Sequence, residues 1–201
     1  GFNSDQIIGS IEGVTHLASA ADFGLLQSAD ILNNVMQIFS KGPGDSEHVA
    51  DLLTYAVNKS NINMDDMFEA LKCFGDVATD LNIPLEDSLA LIMKLGNAGI
   101  KGSIAGTSLG NMMRYLTKAA TPFATTRQKE GLAMLGLTGD SFVGANGNLK
   151  AVTEMVDILM AASSKLNTIE KQAAFEAIFG VRGKRGVSPL MRMSEIGDSV
   201  Q

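Results

Sequence analysis

Glycine recurs at 102, 106 and 110 inside a stretch, residues 99–116, that otherwise has the apolar spacing of a helix: GIKGSIAGTSLGNMMRYL. Positions four residues apart stack on one helical face. Each glycine inside a helix costs about 0.5–1 kcal/mol relative to alanine. Three on one face are tolerable when the bare stripe is used, and the use it fits is close approach of a second helix backbone. Leu109, Met112, Met113 and Leu116 then supply the apolar packing around it. No side chain of the stretch has an obvious chemical task.

The rest of the chain must supply that partner from a restricted set of side chains. Of 201 residues, 45% are apolar but only 5% aromatic, and tryptophan is absent. The core is therefore built from Leu, Ile, Val, Ala and the eleven Met. Four prolines leave room for long helices. Mean hydropathy is positive, which predicts that part of the apolar surface is covered by copies of the chain or by a partner. Charge is uneven: residues 1–100 hold 4 basic and 14 acidic side chains, a net of −10, and residues 101–201 hold 12 and 8, a net of +4. This polarity reads either as head-to-tail contact or as drift in solvated faces. The basic half lacks interleaved aromatics, so nucleic-acid binding is not expected.

Cys73 is the single cysteine and cannot form an internal disulfide. No apolar run approaches the about 18 residues of a membrane helix, and no signal peptide is visible. The chain starts at Gly1 inside a helical pattern, and a fragment of a longer protein is expected.

Helical spacing predicts helices over residues 5–21 (Ile7, Ile8, Ile11, Val14 and Leu17 inward) and 27–40, separated by a turn at Phe23-Gly24. Lys41-Gly42-Pro43-Gly44 ends the second. A third covers 47–59, capped by Asp45 or Ser46, and a fourth follows the cap Asn63 with Met67, Phe68, Leu71, Phe74 and Val77 inward. Cys73 falls on that apolar side and is expected to be buried. Pro84 is suited to the first position of a fifth helix. Ser103 caps the glycine-striped sixth, which runs to about residue 119, and a shorter helix spans 125–135.

Residues 136–148 differ, with four glycines and the tight-turn pair Asn146-Gly147. Leu137, Phe142-Val143 and Leu149 allow a small β-hairpin near 137–149; a loop without regular structure is the alternative. Helices resume over 149–166 and 168–179, the latter opened by a capping box of Asn167 and Glu170. Residues 180–186 read as a loop carrying Arg182, Lys184 and Arg185, a candidate contact for phosphate or an acidic partner, or a solvated loop. Ser188-Pro189 opens a last short helix. The turn Asp22-Phe23-Gly24-Leu25 echoes Asp80-Leu81-Asn82-Ile83, which points to repeated αα-hairpins. The fold class is thus all-α: one helical domain over residues 1–201, a bundle or array of about eight to ten helices built from αα-hairpins. Residues 1–100 form acidic hairpins, and 101–201 hold the glycine-striped helix, the hairpin or loop, and the C-terminal helices.

Reactive constellations are not apparent. His16 and His48 lie in different helices, and neither has ligand-type residues at metal-binding spacing. Asp65-Asp66 fits a helix N-terminus better than an acid/base pair. A phosphate loop needs Gly-Lys-Ser/Thr after a strand, whereas Lys101 precedes Gly102. No catalytic residue, metal or cofactor is expected.

Four pieces in order carry a family resemblance: VATDLNIPLED at 77–87, LGNAGIKGSIAGTSLG at 95–110, AMLGLTGDSFVGANGNL at 133–149 and AIFG at 177–180. Together they resemble the core region of phage tail tape measure proteins of tailed phages and prophages, over roughly residues 15–195. The central signature, with Gly102, Gly106, Thr107, Leu109 and Gly110, is the most specific part. Phe142-Val143-Gly144-Ala145 replaces acidic residues usual in the family's hairpin. The resemblance implies a structural, non-enzymatic tail component that determines tail length by occupying the tube lumen while subunits polymerise around it. It implies host cytoplasm during assembly and the virion tail lumen afterwards. Implied partners are the tail tube protein, tail assembly chaperones, the baseplate or tail-tip hub and other tape measure copies as a homo-oligomer. The alternative is a membrane-active helical module of a toxin-like or DNA-injection protein, and behind it a small helical enzyme.

Overall fold

Turn residues cut the chain into helices in the computed structural model, which describes residues 4–21 and 24–197. Among the described residues there are nine α-helices and no strand. They are α1 Ser4–Ala21, α2 Leu25–Ile38, α3 Ser46–Asn58, α4 Met64–Asp80, α5 Leu85–Asn97, α6 Gly102–Ala120, α7 Thr126–Met134, α8 Val152–Ser163 and α9 Thr168–Gly197. The all-α expectation holds. Two compact units divide the chain, Gly1–Gly106 and Thr107–Gln201. The side chains of Ile7 and Ile8, and the turn residue Phe23, lie outside the described residues.

Four helix ends share one device. Ser40, Asn82, Gly99 and Gly136 have φ of +52°, +53°, +83° and +69°. In each case the next residue donates its N–H back to a carbonyl five residues earlier: Lys41 to Met36, Ile83 to Ala78, Ile100 to Leu95 and Leu137 to Leu132, at 2.7–2.9 Å. This is the Schellman cap, which satisfies carbonyls the helix itself leaves unpaired. Ile83, the residue beyond the cap, is itself buried.

In the first unit α1 packs on α3, α2 on α4 and α3 on α5, so each helix meets the one two positions along. That is the layout of stacked αα-hairpins. Polar ties follow the same rule. Gln27 Nε2 of α2 donates to Asp65 Oδ1 of α4 (3.1 Å), and Thr79 Oγ1 of α4 donates to the Ile38 carbonyl of α2 (2.9 Å). His16 Nδ1 stands 3.8 Å from Asp51 Oδ1, and His48 Nε2 3.4 Å from Glu86 Oε1. The hydrogen-bonded partners among these are 38 or 41 residues apart. The echo between residues 22–25 and 80–83 lies partly outside the described residues, at Asp22 and Phe23.

The core of this unit is aliphatic with one ring: Leu17, Leu32, Met36, Leu53, Met67, Leu71 and Phe74 are fully buried. Each such side chain contributes about 1.5–3 kcal/mol. Asn63 caps α4 as expected, its Oδ1 accepting from Asp66 N at 2.7 Å. Three local expectations shift. Asp45 leaves α3 uncapped and accepts from Gly42 N at 2.9 Å, closing the preceding turn. Pro84 is the N-cap of α5, extended at ψ 159°, and its carbonyl accepts from Ser88 N at 3.0 Å. Ser103 sits inside the first turn of α6, because the chain enters that helix through Gly102 at φ +57°.

In the second unit α7 packs closely on α9, with α8 also against α9. Thr125 and Gln128 form a capping box at α7, and Asn167 and Glu170 the expected one at α9 (3.1 and 3.0 Å). The candidate hairpin contracts to a single antiparallel bridge, Val143 to Leu149, after a 3-10 turn at Gly139–Phe142. Leu149 therefore belongs to the bridge, and α8 starts at Val152 instead of 149. The expected loop at 180–186 is helical: Gly180, at φ +61°, breaks α9, and helix resumes directly after it. Arg and Lys are good helix formers, which offsets the glycines between them.

Candidate functional site

The distinctive geometry is a contact between helix backbones. Ala70 is one of the small buried residues on the inner face of α4, beside Met67, Leu71 and Phe74. That leaves its carbonyl accessible to α6. A Cβ placed on Gly106 would collide with the Ala70 carbonyl oxygen and lie 2.8 Å from Cys73 Cβ. Gly102 is restricted twice, by its positive φ and by Asp66, whose Oδ1 would stand 2.9 Å from an added Cβ. Gly110 and Leu109 are buried, and Thr107 is exposed.

Two more glycines play the same part outside the 102–110 stripe. An added Cβ on Gly13 of α1 would sit 2.5 Å from the Ser46 carbonyl oxygen at the start of α3. On Gly131 of α7 it would meet Ala177 Cβ at 2.8 Å and the Ala174 carbonyl oxygen at 2.9 Å, both on α9. Next to Gly131, Gln128 is 4% exposed. Its Nε2 donates to the carbonyls of Tyr115 (3.1 Å) and Ile178 (3.3 Å), and its Oε1 accepts from Thr125 N. The sequence signal for Gln128 is only the capping-box pattern with Thr125.

The basic cluster is partly described. Lys184 Nζ lies 3.8 Å from Glu176 Oε2, and Arg127 Nη2 lies 3.3 Å from the other oxygen of that carboxylate. The side chains of Arg182 and Arg185 lie outside the described residues. A cavity of about 370 Å³ between Ala119, Ala120, Leu132 and Leu137 has Lys129 and Asp140 at its edge.

Among the described residues no three His, Cys, Asp or Glu side chains group as metal ligands. Cys73 is exposed, against expectation. The buried face of α4 is fixed by residues 67, 70, 71, 74, 77 and 78, and position 73 lies beyond its edge. Asp65 and Asp66 act in the first turn of α4 as helix-terminal acids. The Glu86 carboxyl is held below its ordinary value chiefly by its own backbone N–H in the first turn of α5, against partial burial, with His48 and Lys41 adding to the lowering. No described helix is long and apolar enough to cross a membrane.

A structure organised by helix contact, with no constellation of reactive groups among its described residues, is matched by one family profile. The profile of the phage-related minor tail proteins covers residues 1–180. The chain belongs to that family. It is therefore a phage tail component. Two relatives carry tape measure names. The tape measure protein of Pneumococcus phage Dp-1 is 28% identical over 191 residues, 95% of this chain and 16% of the relative. The probable tape measure protein of Escherichia phage P2 is 25% identical over 200 residues, 98% of this chain and 23% of the relative. The chain thus spans less than a quarter of either relative. The tape measure resemblance read from the four sequence pieces holds over nearly the whole chain. No solved structure matches it.

Proposed function

We propose that this phage tail family member serves as a structural domain of a tail tape measure protein. The observation that carries the reading is the alignment of 95% and 98% of the chain with two such proteins. The fold fits a mechanical task. Stacked helices joined by capped turns resist deformation where close glycine contacts bring backbone against backbone. In this role the parent protein occupies the tail lumen and fixes tail length as tube subunits polymerise around it. Its partners are the tail tube protein, tail assembly chaperones, the baseplate or tail-tip hub and further copies of itself. Arg182, Lys184 and Arg185 are candidate partner contacts, and the Gly102–Gly106–Gly110 positions with Thr107 and Leu109 a packing motif. No reaction is assigned to the chain.

The test is genetic and visual. Residues 1–201 are deleted in frame in the phage or prophage that encodes them, and particles are viewed by negative-stain electron microscopy. Missing tails, or tails of altered length, are expected. Tails of normal number and length would overturn the proposal.

A further inference from the structure

The chain contains one Asn-Gly pair, Asn146-Gly147, and it sits at the tip of the bridged loop with both residues exposed. No helix contact described above involves this pair. Three features bear on its chemistry. Gly147 has no side chain to shield its peptide nitrogen, and nothing lies within 4 Å of where a Cβ would stand. Asn148 N donates to Asn146 Oδ1 at 3.1 Å. That bond folds the carboxamide toward the peptide that follows it and polarises its C=O. The loop is held by few bonds: Gly147 N to the Gly144 carbonyl (2.9 Å), Gly144 N to the Asn148 carbonyl (2.8 Å) and Lys150 N to the Phe142 carbonyl (2.9 Å).

We propose that Asn146 is a spontaneous modification site of this chain, converting through a cyclic imide to aspartate and isoaspartate. The Gly147 amide nitrogen, after losing its proton to hydroxide, attacks Asn146 Cγ. The new N–Cγ bond forms as the Cγ–NH2 bond breaks, and the amide nitrogen leaves as ammonia with a proton from water. Water then opens the five-membered ring at either carbonyl. One opening restores the normal main chain with a carboxylate at 146. The other routes the main chain through the side chain and adds a methylene between residues 146 and 147. Each product carries one more negative charge at the loop tip. The isoaspartate product also lengthens the turn between Gly144 and Asn148, so the bond joining those residues, and with it the Val143–Leu149 bridge, loses its register.

The experiment ages the purified chain in heavy-oxygen water at neutral and mildly alkaline pH, followed by peptide mapping with mass spectrometry and enzymatic methylation of isoaspartate. The Asn146 peptide is expected to convert ahead of every other asparagine, including the Asn3-Ser4 pair. It should gain one heavy oxygen, yield isoaspartate in excess over aspartate, and convert faster as pH rises. Hydrogen exchange at 144–150 should increase in the aged sample. Asn146→Gln, which cannot close the five-membered ring, and Gly147→Ala, which crowds the attacking nitrogen, should each suppress isoaspartate at this position. An intact Asn146 peptide after other asparagines have converted would overturn the proposal. So would aspartate formed without isoaspartate, or a rate unchanged by both substitutions.

Discussion

Gly106 of α6 lies against the carbonyl of Ala70 of α4 so closely that even a methyl group on Gly106 would enter the oxygen's contact radius. The neighbour is main chain, so no rotamer change can make room. Gly106→Leu is expected to destabilise the fold by several kcal/mol, at or above the roughly 1–3 kcal/mol usual for overpacking. Thr107→Ala, one residue on but exposed, should stay within about 0.5 kcal/mol. Urea unfolding followed by circular dichroism compares the two; equal midpoints would remove the close contact.

Gly13→Ala and Gly131→Ala test the same idea through the sign of the effect. In an open helix interior, glycine to alanine stabilises by about 0.5–1 kcal/mol. At these positions the added carbon would stand 2.5 Å from the Ser46 carbonyl oxygen and 2.8 Å from Ala177 Cβ. A loss of about 1–3 kcal/mol is expected at each. A raised melting temperature in either variant would show that the helices there stand apart.

Gln128 is a buried amide that satisfies two carbonyls at once, Tyr115 and Ile178. Gln128→Leu removes both donors while keeping a side chain of similar size. Each of the two lost hydrogen bonds is worth about 0.5–1.5 kcal/mol net, and loss of the cap at Thr125 adds to it. The thermal unfolding midpoint is expected to fall, and an unchanged midpoint would mean that the two bonds from Gln128 contribute nothing to stability.

Glu86 predicts a pH effect of defined sign. Its folded-state acidity is raised, mainly by its own backbone N–H and further by His48 and Lys41. A depressed folded value stabilises the fold above the ordinary glutamate range, near about 4.3, and that contribution is lost as pH falls through the depressed value. Because the side chain is 45% exposed, the effect is at most about 1 kcal/mol. Glu86→Gln should be slightly less stable than the parent at neutral pH and equal to it in strong acid. A constant difference across the titration would contradict this.

How far the sequence revealed the structure depended on the range of the interaction. Local signals read correctly: the cap Asn63, the capping box of Asn167 and Glu170, and the helical spacing of α2 to α5. The stripe drew attention to Gly106 because its cost is paired with a period. Gly13 shares that spacing with Gly9 alone and Gly131 with no glycine, and their partners, Ser46 and Ala177, are distant in sequence. The exposure of Cys73 depended on where the apolar face of α4 ends, which is decided by the helices packed on it. Residues 180–186 looked like a loop because three glycines outweighed the basic residues, whereas in the structure one glycine, Gly180, makes the break.

The most direct measurement joins the packing motif to the tail. Gly106→Leu and Thr107→Ala are introduced separately into the encoding phage, and tail number and length are measured by electron microscopy. Tail formation is expected to fail with Gly106→Leu and to be normal with Thr107→Ala. Normal tails with Gly106→Leu would contradict a structural role for this packed domain in tail assembly.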